Sequence, residues 1–176
     1  NQPQNAITPY EAVLAKSKNE YTEASLVALS GIYLTDKKVD QAIPLLKRLE
    51  IDGEKDQNKL YAQSNLMKAY YETEDFKSAE AYASKVLNNS KADKKVKADA
   101  QVIVARAAIQ INDTATAKKA YADLLSNATG EIAAEALYYD AYFKNADKKF
   151  DASNTAVQKL AKDYSGYKYY GAKGLV

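Results

Sequence analysis

Apolar and small residues recur along the chain in one spaced pattern, and the spacing predicts paired helices. Leu29, Ser30 and Tyr33 stand at i, i+1 and i+4, one face of a helix; Ala42, Leu46 and Leu49 stand at i, i+4 and i+7, one face of the next. The pattern returns as Leu66, Met67 and Tyr70 with Phe76, Ala79, Ala83 and Val86. It returns again as Val104, Ala105 and Ala108 with Ala117, Tyr121 and Leu124, and a fourth time as Ala141 with Phe150, Ser153, Val157 and Leu160. From Ala42 to Ala79, Ala117 and Ser153 the steps are 37, 38 and 36 residues. A period of this size built from two amphipathic stretches predicts stacked helix hairpins. The small residue at each anchor lets the paired helices approach closely, and the fourth copy carries Asp140 and Lys144 where apolar residues are expected.

Short polar links lie inside each pair: Thr35–Lys38, Thr73–Asp75, Asn112–Asp113 and Asp147–Lys149. Links this short make the two helices antiparallel neighbours. Longer polar links over 52–58, 88–93 and 126–130 join one pair to the next and read as helix stops, with Gly or Asn near the cap. Thr8-Pro9-Tyr10-Glu11 reads as a helix start with Thr8 as the cap, opening a leading helix over 8–18. Residues 169–176 read as the opening of another helix, so both ends read as cuts through a longer array. Pro44 inside the second helix of the first pair predicts a small kink, not a break.

Composition narrows the chemistry. The 176 residues hold 6 Gly and 3 Pro, which favours helices over strands. Cys and His are both absent, which removes disulfides, thiolate metal sites and Ser-His-Asp triads. The reading is therefore of a protein that is not an enzyme and carries no cofactor or metal. The net charge is +2 with both signs interleaved, and the one basic run, Lys91 to Lys97, reads as a solvated loop and helix start. No nucleic acid is expected as a partner, and no stretch approaches the length of a membrane span.

The run Asn65-Leu66-Met67-Lys68-Ala69-Tyr70-Tyr71-Glu72-Thr73-Glu74-Asp75-Phe76-Lys77-Ser78-Ala79 resembles the tetratricopeptide repeat, with Met67 where that family carries Gly. The resemblance covers about residues 20 to 165. It implies an all-α fold: a right-handed α-α superhelix, or solenoid, of stacked antiparallel helix pairs. About four repeats are expected, at 23–59, 60–97, 98–133 and 134–168, in a single solenoid over 1–176. In style of sequence the chain also resembles large repeat proteins of Gram-negative bacteria, Bacteroidetes especially, and a periplasmic or envelope location is favoured on that basis.

The resemblance further implies that positions two, five, six, nine and twelve of each repeat line a concave groove that holds a protein or peptide. Those positions give Ala24, Val27, Ala28, Gly31 and Leu34, then Tyr61, Ser64, Asn65, Lys68 and Tyr71. They continue with Asp99, Val102, Ile103, Arg106 and Ile109, and end with Glu135, Tyr138, Tyr139, Tyr142 and Asn145. Tyr61, Asn65, Lys68, Tyr71, Arg106, Tyr138 and Tyr142 are the candidate contacts, Tyr and Arg being favoured at binding hot spots. Lys68 and Arg106 are the candidates to meet a ligand carboxylate. The paired Lys and Asn with which some members grip acidic C-termini, at positions five and nine, are missing from every repeat. Two other readings compete: a structural spacer in a long array, and a glycan-binding module using Tyr faces. A carboxylate enzyme built on Glu131 and Glu135 is set against the simpler view of both as a solvated helix start.

Overall fold

A computed structural model describes residues 6–174, and among them every regular element is a helix. These are α1 (Ile7–Leu14), α2 (Thr22–Thr35), α3 (Val39–Asp52), α4 (Asp56–Glu72), α5 (Phe76–Asn88), α6 (Lys94–Gln110), α7 (Thr114–Asn127), α8 (Gly130–Ala146), α9 (Phe150–Asp163) and α10 (Lys168–Gly174). The chain divides into two compact units, 1–103 and 104–176, with the division falling inside α6. None of the described helices is long and apolar enough to cross a membrane.

In the first unit each helix packs on the next: α1 on α2, α2 on α3, α3 on α4 and α4 on α5. The residues that carry the spacing pattern form its core. Leu29, Ser30, Ala42, Leu46 and Leu49 are buried, as are Leu66, Met67, Tyr70, Ala79, Ala83 and Val86. Ala42 and Ala79 are wholly buried, so any larger side chain there would press on the partner helix. In the second unit α7 packs on α8, α8 on α9, and α10 on both α8 and α9. Ala134, Leu137, Ala141, Ala156 and Leu160 form the core between α8 and α9. Ser153 replaces the usual alanine there, and its hydroxyl donates to the Ala141 carbonyl at 2.8 Å, so the extra polar atom is satisfied.

The turn inside every hairpin has one geometry. Lys37, Glu74, Asn112 and Lys148 all sit in the left-handed region, with φ of 58°, 61°, 59° and 62°. Each lies five residues before its small anchor, so the turn repeats in step with the packing. In three of the four, the amide after the left-handed residue reaches back to close the helix end: Lys38 to Tyr33 at 2.8 Å, Asp113 to Ala108 at 2.9 Å and Lys149 to Lys144 at 2.8 Å. These bonds satisfy carbonyls that the helix terminus would otherwise leave open. The second helix then starts on Asp75 or Asp113 as side-chain cap in the middle two hairpins. Lys38 and Lys149 stand there without a side-chain cap bond in the outer two.

Several local expectations are corrected. The leading helix, expected over 8–18, runs Ile7–Leu14; Thr8 lies inside it and Ala6 holds the cap position with no side-chain bond. The chain turns after Leu14, and Arg48 donates to the Leu14 carbonyl at 2.9 Å. Phe150, expected in the core, is 57% exposed, because the helix it opens is held by Ser153, Ala156 and Leu160 instead. Asp140 and Lys144, placed at apolar positions, bond each other one turn apart at 2.6 Å. Gly130, expected in a helix stop, is the first residue of α8, with φ +61°. At Pro44 the expectation of no break stands, since helix α3 runs through it from Val39 to Asp52. Of the helix opening expected over 169–176, the described part is α10; residues 175 and 176 lie outside the described residues.

Candidate functional site

The candidate contacts fall on the first helices of the hairpins, and within each unit an open cleft brings some of them together. In the first unit Tyr61, Ser64 and Asn65 of α4 line a cleft of about 630 Å³, facing Lys91 and Asp93 of the link to α6 and Val96 of α6 itself. The Tyr61 hydroxyl lies 3.4 Å from where a Cβ on Gly31 would stand, so two expected groove positions on adjacent hairpins are neighbours. Asn65 turns its amide NH2 back on the Tyr61 carbonyl at 2.8 Å. The Ser64 hydroxyl oxygen is buried without a hydrogen-bond partner.

Lys68 and Tyr71 do not line that cleft. Lys68 is ion-paired with Asp99, also an expected groove position, at 2.7 Å. Tyr71 packs edge-on against Phe76 at 5.4 Å.

In the second unit Tyr138 and Tyr142 of α8 form a ridge between two hollows. One, of about 460 Å³, is walled by Asn145, Val157 and Lys173 as well; the other, of about 240 Å³, by Ile109, Asn112 and Phe143. Tyr142 is 53% exposed. Tyr138 is half-buried and meets Tyr139 edge-on at 5.0 Å, while Tyr139 stacks on Tyr121 at 4.2 Å. The sequence places these tyrosines on one face of α8 by helical spacing, and the ring contacts then fix their directions. The Lys173 ammonium lies 5.3 Å from the Tyr138 ring and 5.2 Å from the Tyr169 ring. A hydrogen bond to Tyr169 lifts its pKa above the ordinary lysine value.

Arg106 is committed within the same unit. Its Nε donates to Glu135 at 2.9 Å, and a second nitrogen completes a fork on the same carboxylate. Glu135 is 3% exposed and takes two more donors, the hydroxyls of Tyr121 at 2.7 Å and Tyr170 at 2.9 Å. Burial alone would raise the Glu135 carboxyl, but the bonds from Arg106 and Tyr121 outweigh it and hold the group below the usual carboxylate range. Tyr121 is shifted the opposite way, by its burial and by the adjoining charge of Glu135.

The solvated-start view of Glu131 and Glu135 therefore holds for the exposed Glu131 and fails for Glu135, which four helices enclose. Sequence reasoning missed this knot and missed Lys173. The available signal was a single charge within Ala133-Ala134-Glu135-Ala136-Leu137: an acid in an unbroken apolar run has to find a donor or leave the core. Among the described residues no acidic cluster is placed to hold a metal ion. The chain matches no protein-family model, no curated protein and no solved structure in the comparisons made.

Proposed function

We propose that the chain is a tetratricopeptide-like solenoid that holds a protein or peptide along the face formed by the first helices of its hairpins. The observation that carries this reading is the placement of the clefts. Each lies on a first helix, α4 or α8, and each is walled in part by residues that the family resemblance implies for the groove: Tyr61 and Asn65 in one, Tyr138 and Tyr142 in the other. Tyrosine supplies large contact area at low cost in side-chain freedom, and the neighbouring amides add direction. The period shared by anchors and turns supports the stacking on which a continuous groove depends. A periplasmic or envelope location belongs to the same reading and rests on sequence style alone.

A displayed library of random peptides, selected on the intact chain, tests this. Binders are expected to lose affinity at least tenfold with Tyr61→Ala, or with Tyr138→Ala and Tyr142→Ala together, and to ignore Lys77→Glu on the opposite helix α5. Binders that respond only to second-helix substitutions would refute the groove. The spacer reading has its own support, since Lys68 and Arg106 are consumed by internal pairs. It predicts that selection enriches nothing dependent on Tyr61, Tyr138 or Tyr142.

A further inference from the structure

Tyr138 and Tyr142 stand one helical turn apart on α8 and bound both hollows of the second unit, of about 460 Å³ and 240 Å³. Edge-on contacts to Tyr139 and Phe143, at 6.3 and 5.5 Å, hold the Tyr142 ring, yet that residue is 53% exposed. The ridge is thus fixed before anything binds, which lowers the ordering cost of contact. Val157 lines the larger hollow and Ile109 the smaller, and Asn145 and Asn112 add one amide to each.

The charges and hydrogen bonds around the ridge narrow the occupant. No carboxylate lines either hollow. The one charged group, Lys173 in the larger, is already hydrogen-bonded to Tyr169. Tyr121 and Tyr170 spend their hydroxyls on Glu135. The hydroxyls of Tyr138 and Tyr142 and the side-chain amides of Asn112 and Asn145 have no hydrogen-bond partner among the described residues. Each of these four groups can donate to a carbonyl, and no carboxylate stands ready to take a backbone N–H. The complement is an uncharged segment rich in carbonyls, poor in N–H groups and carrying compact apolar rings. Proline fits on every count: it has no N–H, and in polyproline II its carbonyls make no internal bonds and face outward. That helix repeats every three residues, about 9 Å, so prolines one turn apart share a face. Aromatic-lined grooves suit it because its conformation is already set before binding.

We infer that the ridge of Tyr138 and Tyr142 binds a proline-rich segment in the polyproline II conformation, with two prolines one turn apart settling on its two sides. The Tyr142 ring is the platform between them. Asn112 and Asn145 donate to carbonyls on opposite sides of the ridge. This rests on the groove reading above and names the class of ligand taken in the second unit. It asks nothing of Lys173 or of a chain terminus.

The test uses the 15N-labelled chain and three uncharged probes: N-acetyl-hexaproline amide, N-acetyl-(Gly-Ser)3 amide and cellohexaose. Hexaproline is expected to move the side-chain amide resonances of Asn112 and Asn145 together and saturably. The Gly-Ser peptide is expected to bind at least tenfold more weakly. Hexaproline affinity should be the same at low salt and at about 0.5 M NaCl, since no charge takes part. Tyr142→Ala should weaken hexaproline at least tenfold and Tyr142→Phe by less, with helicity by circular dichroism unchanged in both. Tyr61→Ala, in the first unit, should leave it unaltered.

No shift at either amide at about 10 mM hexaproline, a concentration that detects even millimolar affinities, would overturn the inference and leave the groove reading to its own peptide selection. Movement of only one of the two amides would overturn the two-sided seat. Cellohexaose binding as tightly as hexaproline at the same amides would reassign the ridge to sugars and overturn it too. Tyr142-dependent hexaproline binding, in a chain from which selection recovers nothing dependent on Tyr61, would keep this ridge and sink the extended groove.

Discussion

Two glutamates, one in each unit, gather donors from neighbouring helices, and they differ in how far water reaches them. Glu50 on α3 accepts from Gln63 of α4 at 3.2 Å and from Tyr82 and Lys85 of α5 at 3.1 and 2.9 Å, with its side chain 16% exposed. Glu135 on α8 accepts from Arg106, Tyr121 and Tyr170 with its side chain 4% exposed. Both carboxyls are pulled below the ordinary range, with burial opposing and hydrogen bonds prevailing. The bonding pattern is the same, so the two sites differ in the cost of losing a partner. Near the surface, water replaces a missing donor; inside, nothing does.

The largest expected effect comes from that contrast. Glu135→Ala leaves Arg106 without its carboxylate and strands the buried Tyr121 hydroxyl, and it should cost about 3 kcal/mol in denaturant unfolding followed by circular dichroism. Glu50→Ala should cost about 1 kcal/mol, since Lys85 is half-exposed and stays solvated. Equal losses at the two sites would show that burial does not set the weight of these knots.

Acid sharpens the same comparison. A carboxyl whose folded pKa is depressed stabilises the fold fully above its unfolded value of about 4.3, and that contribution fades as pH falls through the folded value. Glu23, Glu50 and Glu135 all shift this way. Unfolding midpoints should therefore hold between pH 7 and 5 and fall below about pH 4.5. Glu135→Gln should flatten part of that fall. The tyrosines give the alkaline counterpart. Tyr82 is pushed up to about 12, by burial first and then by the charge of Glu50, and Tyr121 is raised as well. An unfolded tyrosine ionises near 10, so stability present below that pH should drain away above it. A denaturation midpoint that stays flat from pH 7 to 3 would rule out the carboxylate knots as significant contributors.

The hairpins were readable from the sequence because their signals are local: apolar spacing, small anchors and polar links each depend on a few neighbouring residues. Ala42, Ala79 and Ala117 could be placed at helix contacts by interval alone, since only close packing explains a small residue at that spacing. The candidate site was readable only as a face. The family resemblance put Tyr138, Tyr142 and Arg106 on the groove side of their helices, but the partner of Arg106 lies 29 positions away and depends on how α6, α7, α8 and α10 come together. Charge pairing across elements has no period, so Lys68 and Arg106 looked available when Asp99 and Glu135 already hold them. The left-handed turns were hidden for another reason: three of the four positions carry Lys or Glu, residues that give no sign of that backbone conformation.

Those turns supply the smallest effect, and a comparison inside one repeating feature. Left-handed backbone crowds the Cβ of an ordinary residue, while Asn tolerates it and Gly has no Cβ to crowd. Glu74 at φ 61° and Asn112 at φ 59° adopt the same conformation in equivalent turns. Glu74→Gly should raise stability by about 0.5 kcal/mol, the relief of crowding exceeding the added freedom of the unfolded chain. Asn112→Gly should gain less or nothing, because Asn is already suited to the conformation. Matched denaturation curves for the two variants decide the point. A larger gain at Asn112 would mean that side-chain contacts rather than backbone crowding govern these turns.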